Sequence, residues 1–341
     1  MNRPTHRLAV PPISRRTLLA GSAAAALGLL TGCNSDASQD ATKSGRTTVK
    51  ILSFSPPSLG AFLPAVIEAN RIDQDHNLEI EYTYTTPDNY NTEFSSGHFQ
   101  VGGSAALLSE ALRTERNVDV TYLFNLFDFF TAVVTDRAEI KSLTDLPGKR
   151  LAAATGTTNH AMFAWFAGKA GLDLSKVQIM NQTTAGLSTM ALTGQTDATA
   201  LWEPAYSSLL AKKPTIRTLE IGMGNWKAAF GTDTIPYLGL AAHRKWINEN
   251  PDAVKNLYAA YGDAAKWTTE NPAKAAEAIA KVMPNGQPKV IQALIENNDQ
   301  LQMNVASAAS LKDPISSVFE AGKSTGYLKK TPPASIIYGD L

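Results

Sequence analysis

Four short stretches carry the residues best suited to gripping a small molecule, each where an extended run gives way to an amphipathic one. Phe54-Ser55-Pro56-Pro57-Ser58 offers the hydroxyls of Ser55 and Ser58, and Gly102-Gly103-Ser104-Ala105 offers a backbone without Cβ atoms beside the Ser104 hydroxyl. Thr155-Gly156-Thr157-Thr158-Asn159-His160 is the richest in donors, with a bend at Gly156 followed by Thr157, Thr158 and His160. Trp202-Glu203-Pro204 places an indole and a carboxylate at a strand exit, with Pro204 suited to a first helical turn. Loops at strand ends converge in open α/β sheets, and helix amino termini present unpaired N–H groups there, so the chemistry such junctions offer is hydrogen bonding to a small ligand. Every one of these side chains fits a second role. The hydroxyls also suit helix caps, and Trp202 suits hinge packing as well as a stacking wall. Asp128 stands among Phe124, Phe127, Phe129 and Phe130, a cluster that reads as core or hinge, and both Asp128 and Tyr237 are candidates for the cleft edge.

Covalent and metal chemistry find little support. The histidines at 6, 76, 98, 160 and 243 form no His-Glu-x-x-His pair, and no Gly-x-Ser-x-Gly elbow or phosphate-cradling Gly-x4-Gly-Lys loop occurs. Cys33 is the single cysteine, which excludes an internal disulfide and a multi-cysteine zinc site. No cofactor and no metal are expected. An enzyme reading would rest on Asp128 or Glu203 as acid or base with His160.

The elements that must position these residues alternate. Candidate strands are 49–54, 78–83, 118–123, 131–135, 150–153, 177–180, 198–201 and 216–219, with helical patterns between them at 59–69, 90–95, 105–114, 160–170, 186–192 and 205–211. Such alternation predicts βαβ units and mostly parallel sheets with helices on both faces, an α/β fold. The last third turns helical, with Pro251, Pro272 and Pro288 each opening a long pattern. The 341 residues suffice for two lobes of about 100–200 residues each. Lys and Arg number 31, as do Asp and Glu, and the first 32 residues hold four arginines (Arg3, Arg7, Arg15, Arg16) and no acid, so the remainder carries 27 against 31. A mildly acidic body without a basic cluster argues against nucleic acid as a partner.

Residues 1–32 read as an export signal: a basic start, a small apolar run from Thr17 to Leu30, then Leu30-Thr31-Gly32-Cys33. The run is shorter than the ~20 residues that span a bilayer. Ser14-Arg15-Arg16-Thr17-Leu18-Leu19 resembles a twin-arginine signal and Leu30-Thr31-Gly32-Cys33 resembles a lipobox. That resemblance implies cleavage before Cys33, acylation of it, and a lipid anchor on the extracytoplasmic face of the membrane, with polar residues 33–46 as a flexible tether.

A second resemblance covers about residues 48–300. The stretch Ile140-Lys-Ser-Leu-Thr-Asp-Leu-Pro-Gly-Lys-Arg-Leu-Ala-Ala-Ala-Thr-Gly-Thr-Thr-Asn-His160 resembles the opening of the second lobe in solute-binding proteins of ABC importers, in the nitrate, aliphatic sulfonate, taurine and thiamine-pyrimidine group. Ser96–Ser104, Thr193–Pro204 with its Trp-Glu-Pro, and Asn248-Glu-Asn-Pro251 resemble further segments of that group in the same order. The resemblance implies a type II periplasmic-binding-protein-like fold with two doubly wound sheets joined by two crossing strands. Lobe one would be 47–134 plus 240–341, lobe two 138–235, with crossings near Thr135 and Tyr237. It further implies a monomer that takes solute into the inter-lobe cleft and delivers it to an ABC permease with its ATPase, without altering it. Some relatives that make the thiamine pyrimidine carry a cysteine-rich motif, which this chain lacks. The ligand stays open between a sulfonate, nitrate or taurine-type oxyanion and a pyrimidine-like vitamin precursor, because no junction holds Lys or Arg while Glu203 and Asp128 would oppose an anion if they faced it. A lipoprotein that senses ligand without transport, and an enzyme of the same fold acting on a small heterocycle, are the alternatives.

Overall fold

In a computed structural model, residues 45–341 are described; the export signal, Cys33 and residues 34–44 of the tether lie outside the described residues. The strands are β1 (Thr47–Phe54), β2 (Leu78–Thr85), β3 (Val101–Ala106), β4 (Val120–Asp128), β5 (Ala132–Thr135), β6 (Arg150–Ala153), β7 (Gln178–Asn181), β8 (Ala198–Leu201), β9 (Arg217–Leu219), β10 (Pro236–His243) and β11 (Met303–Ser307). They form one sheet of order β11-β4-β10-β3-β1-β2 and another of order β7-β6-β8-β5-β9. The elements around the first sheet are the first lobe below, those around the second sheet the second lobe.

Both sheets are mixed rather than mostly parallel. β1 runs parallel to β2 and β3, and β6 to β7 and β8, as the βαβ pattern predicts. The strands that run against their sheets are β10 and β11 in the first and β5 in the second, and β5 and β10 stand beside the places where the chain changes sheet. Those places differ from expectation. β5 pairs with β8 and β9, so Thr135 belongs to the second sheet and the first crossing is Phe129–Thr131. Tyr237 lies within β10, which pairs with β4 from Pro236 onward, so the return crossing precedes it. β-branched runs mark strands but carry no information on which sheet will take them.

β3 escapes propensity altogether. Its sequence Val-Gly-Gly-Ser-Ala-Ala is buried at every position, and its small residues are what neighbours leave room for. A Cβ on Gly102 would stand 2.2 Å from the Tyr90 hydroxyl, and one on Gly103 would stand 2.6 Å from Ile51 and Ser53 atoms. Ser104 is therefore a strand residue, not the head of a helix, and the helix Leu107–Glu115 starts three residues later. β4 is the opposite case, a run of mostly large apolar residues buried at every position, with Thr121, Asn125 and Asp128 among them.

The C-terminal helices Pro251–Glu270, Pro272–Val282 and Pro288–Glu296 each begin on the expected proline. Helices Gly224–Phe230, Arg244–Glu249 and Lys312–Ser324 complete the cover. Helix Pro251–Glu270 turns Val254, Leu257, Tyr261 and Ala264 into the first-lobe core, which also takes Phe62, Val66 and Ile67 of helix Phe62–Asn70. The two lobes pack against each other as one compact unit. Among the described residues no helix is long and apolar enough to cross a membrane.

Candidate functional site

The third junction is where the lobes meet most closely. Thr157 has extended backbone and caps helix Thr158–Lys169: its hydroxyl accepts from the His160 N–H at 3.2 Å and donates to the Ala154 carbonyl at 2.8 Å. Its neighbour Thr158 points across the interface, where its Oγ1 accepts from the Ser109 N–H at 3.2 Å and lies 3.1 Å from the Ser109 hydroxyl. Tyr327 closes the same contact, 3.2 Å from the Ser109 hydroxyl and 3.5 Å from the Gly156 carbonyl. Asn159 turns to the crossing, with its Nδ2 donating to the Phe130 carbonyl at 3.3 Å and its Oδ1 3.2 Å from the Thr131 hydroxyl. The Tyr237 hydroxyl bonds the same Asn159 side chain, and burial raises its pKa. His160 packs on Phe163 with a buried Nδ1 that has no hydrogen-bond partner, and burial lowers its pKa, which favours the neutral ring at pH 7.

The first two junctions serve each other. Ser58 caps the turn Leu59–Ala61 through the Gly60 N–H at 3.1 Å. The fully buried Ser104 hydroxyl accepts from the Phe54 N–H at 2.9 Å and so ties the first junction to β3. Gly60 comes so near that a Cβ there would lie 2.0 Å from the Ser104 hydroxyl oxygen. Ser55 is half-buried, its N–H bonded to the Thr85 carbonyl at 2.8 Å.

At the fourth junction Trp202 is half-buried against the cluster of Val134, Ala154, Leu187 and Leu209. Glu203 is only 1% exposed. Its carboxylate accepts from the Ser207 hydroxyl at 3.0 Å, the Ser207 N–H at 3.2 Å, and the Gln300 side-chain amide of the first lobe. Burial raises its pKa against those donors. Asp128 is the last residue of β4, beside the first crossing. It accepts from Asn125 Nδ2 at 2.9 Å and Asn304 Nδ2 at 2.8 Å. Asn125 in turn accepts from the Tyr122 hydroxyl at 2.9 Å and the Tyr237 N–H at 3.2 Å.

The structure thus brings Gly156, Thr158, Glu203 and Tyr237 into inter-lobe or hinge contacts, while Ser58, Ser104 and Thr157 serve local caps and links. Sequence reasoning missed Ser109, Gln300, Asn304 and Tyr327, which lie outside any motif. Two grooves remain between the lobes. One, of about 250 Å³, is bounded by Phe130, Tyr206, Glu220, Met223, Asp299 and Gln300. The other, of about 230 Å³, is bounded by Pro57, Phe62, Leu192, Pro204, Lys212 and Val290.

Asp128 is pushed up to about 6 by burial from an ordinary 3.8, and Glu110, buried beside Arg113, to about 6 from 4.5. Both carboxyls bind protons in the folded chain at pH values where the unfolded chain has released them, so between about pH 6 and pH 4 they favour the fold as pH falls. Buried His160 acts in the opposite sense below its ordinary 6.5. Asp136, held low by the Lys213 ammonium, withdraws its contribution at still lower pH. Asp128→Asn should therefore flatten the slope of unfolding free energy against pH in that window, read from urea titrations at pH 4.5, 6 and 7.5. An unchanged slope would show that Asp128 is ionised throughout.

Comparison with known proteins agrees with this architecture. A family model described as NMT1/THI5 like matches residues 74–275. A protein of Brucella abortus (strain 2308) named as a binding protein is 24% identical over 212 residues, which is 62% of this chain and 62% of that protein's length. A protein of Escherichia coli (strain K12) named as an aliphatic sulfonates-binding protein is 26% identical over 152 residues, 44% of either chain. The crystal structure of the periplasmic aliphatic sulphonate binding protein SsuA from Escherichia coli has a TM-score of 0.67 at 16% identity, covering 85% of this chain and 92% of that one. At that identity the likeness is one of fold, that of the periplasmic binding proteins.

Proposed function

The chain belongs to the NMT1/THI5-like family, and from that premise we propose that it is an extracytoplasmic solute-binding lipoprotein serving an ABC importer. It captures a small molecule between its lobes as a monomer and passes it unchanged to a permease, while an acylated Cys33 holds it to the membrane. The observation that carries this reading is the meeting of polar side chains of both lobes beside the two crossings, with Thr158 on Ser109 and Glu203 on Gln300. A ligand that touches both lobes can favour a closed form, and only such differential affinity can shift that balance. Ser55, Gly156, Thr158, His160, Trp202 and Tyr237 are the contacts we assign to it.

The solute we favour is an oxyanion with a small apolar part. A neutral or weakly basic ring would stack on Trp202 and donate to Asp128 and Glu203, yet both carboxylates are engaged by amides of the protein itself. Lys212 borders the apolar groove, and its side chain takes part in no hydrogen bond or ion pair among the described residues. The Escherichia coli relative, named for aliphatic sulfonates, is consistent with this choice.

A thermal-shift screen of alkyl sulfonates, taurine, nitrate, aminopyrimidines and flavin precursors tests it. A ligand present at 100 times its Kd stabilises the native state by about 2.7 kcal/mol, which moves the melting point by several degrees. A shift with a sulfonate and none with an aminopyrimidine is expected. A shift with aminopyrimidines alone would overturn the ligand class, and conversion of any compound would overturn the carrier.

A further inference from the structure

Gln300 stands on the short helix Asn298–Leu301 of the first lobe, yet its side chain is spent on the second lobe. Its Nε2 donates to the Glu203 carboxylate and lies 2.9 Å from the Ser207 hydroxyl. Among the described residues Glu203 forms no ion pair; its other donors are the Ser207 hydroxyl and N–H. The charged groups on the adjoining groove are Asp299 and Glu220, both exposed and both acidic. Among the described residues, the first-lobe side chain that hydrogen-bonds this buried carboxylate is therefore a neutral amide, reaching over from a segment that also bonds Asp128, beside the first crossing, through Asn304.

We propose that Gln300 is a positioning residue for solute capture, a latch that engages Glu203 when the lobes close and sets the balance between closed and open forms before any solute arrives. This rests on reading the two lobes as parts that separate. Opening removes from a buried carboxylate its donor from across the interface, and hydrogen bonds to charged groups are among the stronger ones. Loss of the latch should shift the balance toward the open form by about tenfold or more.

The arrangement also permits an exchange of roles. In the double variant Glu203→Gln with Gln300→Glu, the new amide at 203 donates to the new carboxylate at 300, and its carbonyl oxygen still accepts from the Ser207 N–H. Small-angle scattering of the solute-free full chain at pH 8 should then show wild type and the double variant equally compact, with Gln300→Ala and Gln300→Glu expanded. Gln300→Glu alone should recompact at pH 5, since two facing carboxyls can share one proton, whereas Gln300→Ala should not. A packing role alone would not follow pH or recover on exchange.

Circular dichroism establishes that each variant is folded. Superimposable scattering from wild type, Gln300→Ala and Gln300→Glu would overturn the latch, as would a double variant as expanded as Gln300→Glu. No solute enters the experiment, so its outcome is independent of the ligand screen. A latch that fails beside a positive screen leaves the carrier standing, and the reverse holds too.

Discussion

Arg113→Ala should lower the stability of the native chain by about 3–5 kcal/mol, the usual cost of stripping one partner from a buried ion pair. Arg113 Nη1 lies 2.6 Å from Glu110 Oε1, and the two side chains are 5% and 0% exposed. Each guanidinium nitrogen has a partner: Nη2 donates to Asn91 Oδ1 at 2.6 Å, Nε donates to the Ser95 hydroxyl at 3.1 Å, and the Tyr90 and Phe94 rings lie 5.5 and 5.2 Å from its centre. Truncation leaves the Glu110 carboxylate in apolar surroundings, where its second oxygen already lacks a partner. The carboxyl escapes by taking a proton, so the loss should be greater at pH 8 than at pH 5. Urea unfolding at both pH values reads this directly. A companion Glu110→Leu change should recover much of the loss, because a hydrophobic replacement of the whole pair is often neutral. Equal losses in the single and double variants would assign the effect to packing on Tyr90 and Phe94 instead. The pair matters to the site because it anchors helix Leu107–Glu115, whose Ser109 meets Thr158 across the lobes.

That helix illustrates what the sequence could and could not disclose. Local rules found it within two residues, as they found β6 and β8 at their ends and the three proline-led helices at their starts, because periodicity and proline geometry act over a few residues. Sheet membership is not local. β5 looks the same whether it closes the first sheet or opens the second, and only its pairing with β8 and β9 decides. The site follows the same division. Thr157, Ser58 and Ser104 were recognised as hydroxyls at junctions with two possible roles, and the structure gives each an intramolecular partner. Glu203 was legible as a residue at a strand exit, but its partner Gln300 is 97 residues away, beyond the reach of any pattern in the chain. Asp128 was legible as a carboxylate among Phe124, Phe127, Phe129 and Phe130, but its partner Asn304 stands at a separation of 176 residues. Functional side chains announce themselves by type, whereas the partners that neutralise or orient them are set by topology.

Trp226→Ala should be comparably costly, about 3–5 kcal/mol for removing a large buried aromatic, and its consequences should reach the hinge. Trp226 is fully buried, with ring centres 4.4 Å from Phe230, 5.1 Å from Trp165 and 6.1 Å from Phe166. Phe166 continues the chain of rings by stacking on Phe129 at 5.7 Å, and Phe129 meets Tyr237 edge-on at 6.0 Å. This aromatic column therefore runs from the second-lobe core through the first crossing to the start of β10, and the two crossings are themselves joined by the Phe129 N–H bond to the Ile235 carbonyl at 2.7 Å. Trp226 adds a polar tie, since its indole N–H donates to the Thr234 carbonyl of the return crossing at 3.2 Å. Trp226→Phe retains much of the ring packing and loses the tie, so it should cost roughly 1–2 kcal/mol in the folded protein while accelerating hydrogen exchange at residues 232–237. If exchange at the return crossing stays at the wild-type rate in Trp226→Phe, the column stabilises the second lobe without restraining the hinge. If it rises there and not in β6 or β8, the same rings that fill the second-lobe core also hold the return crossing in place.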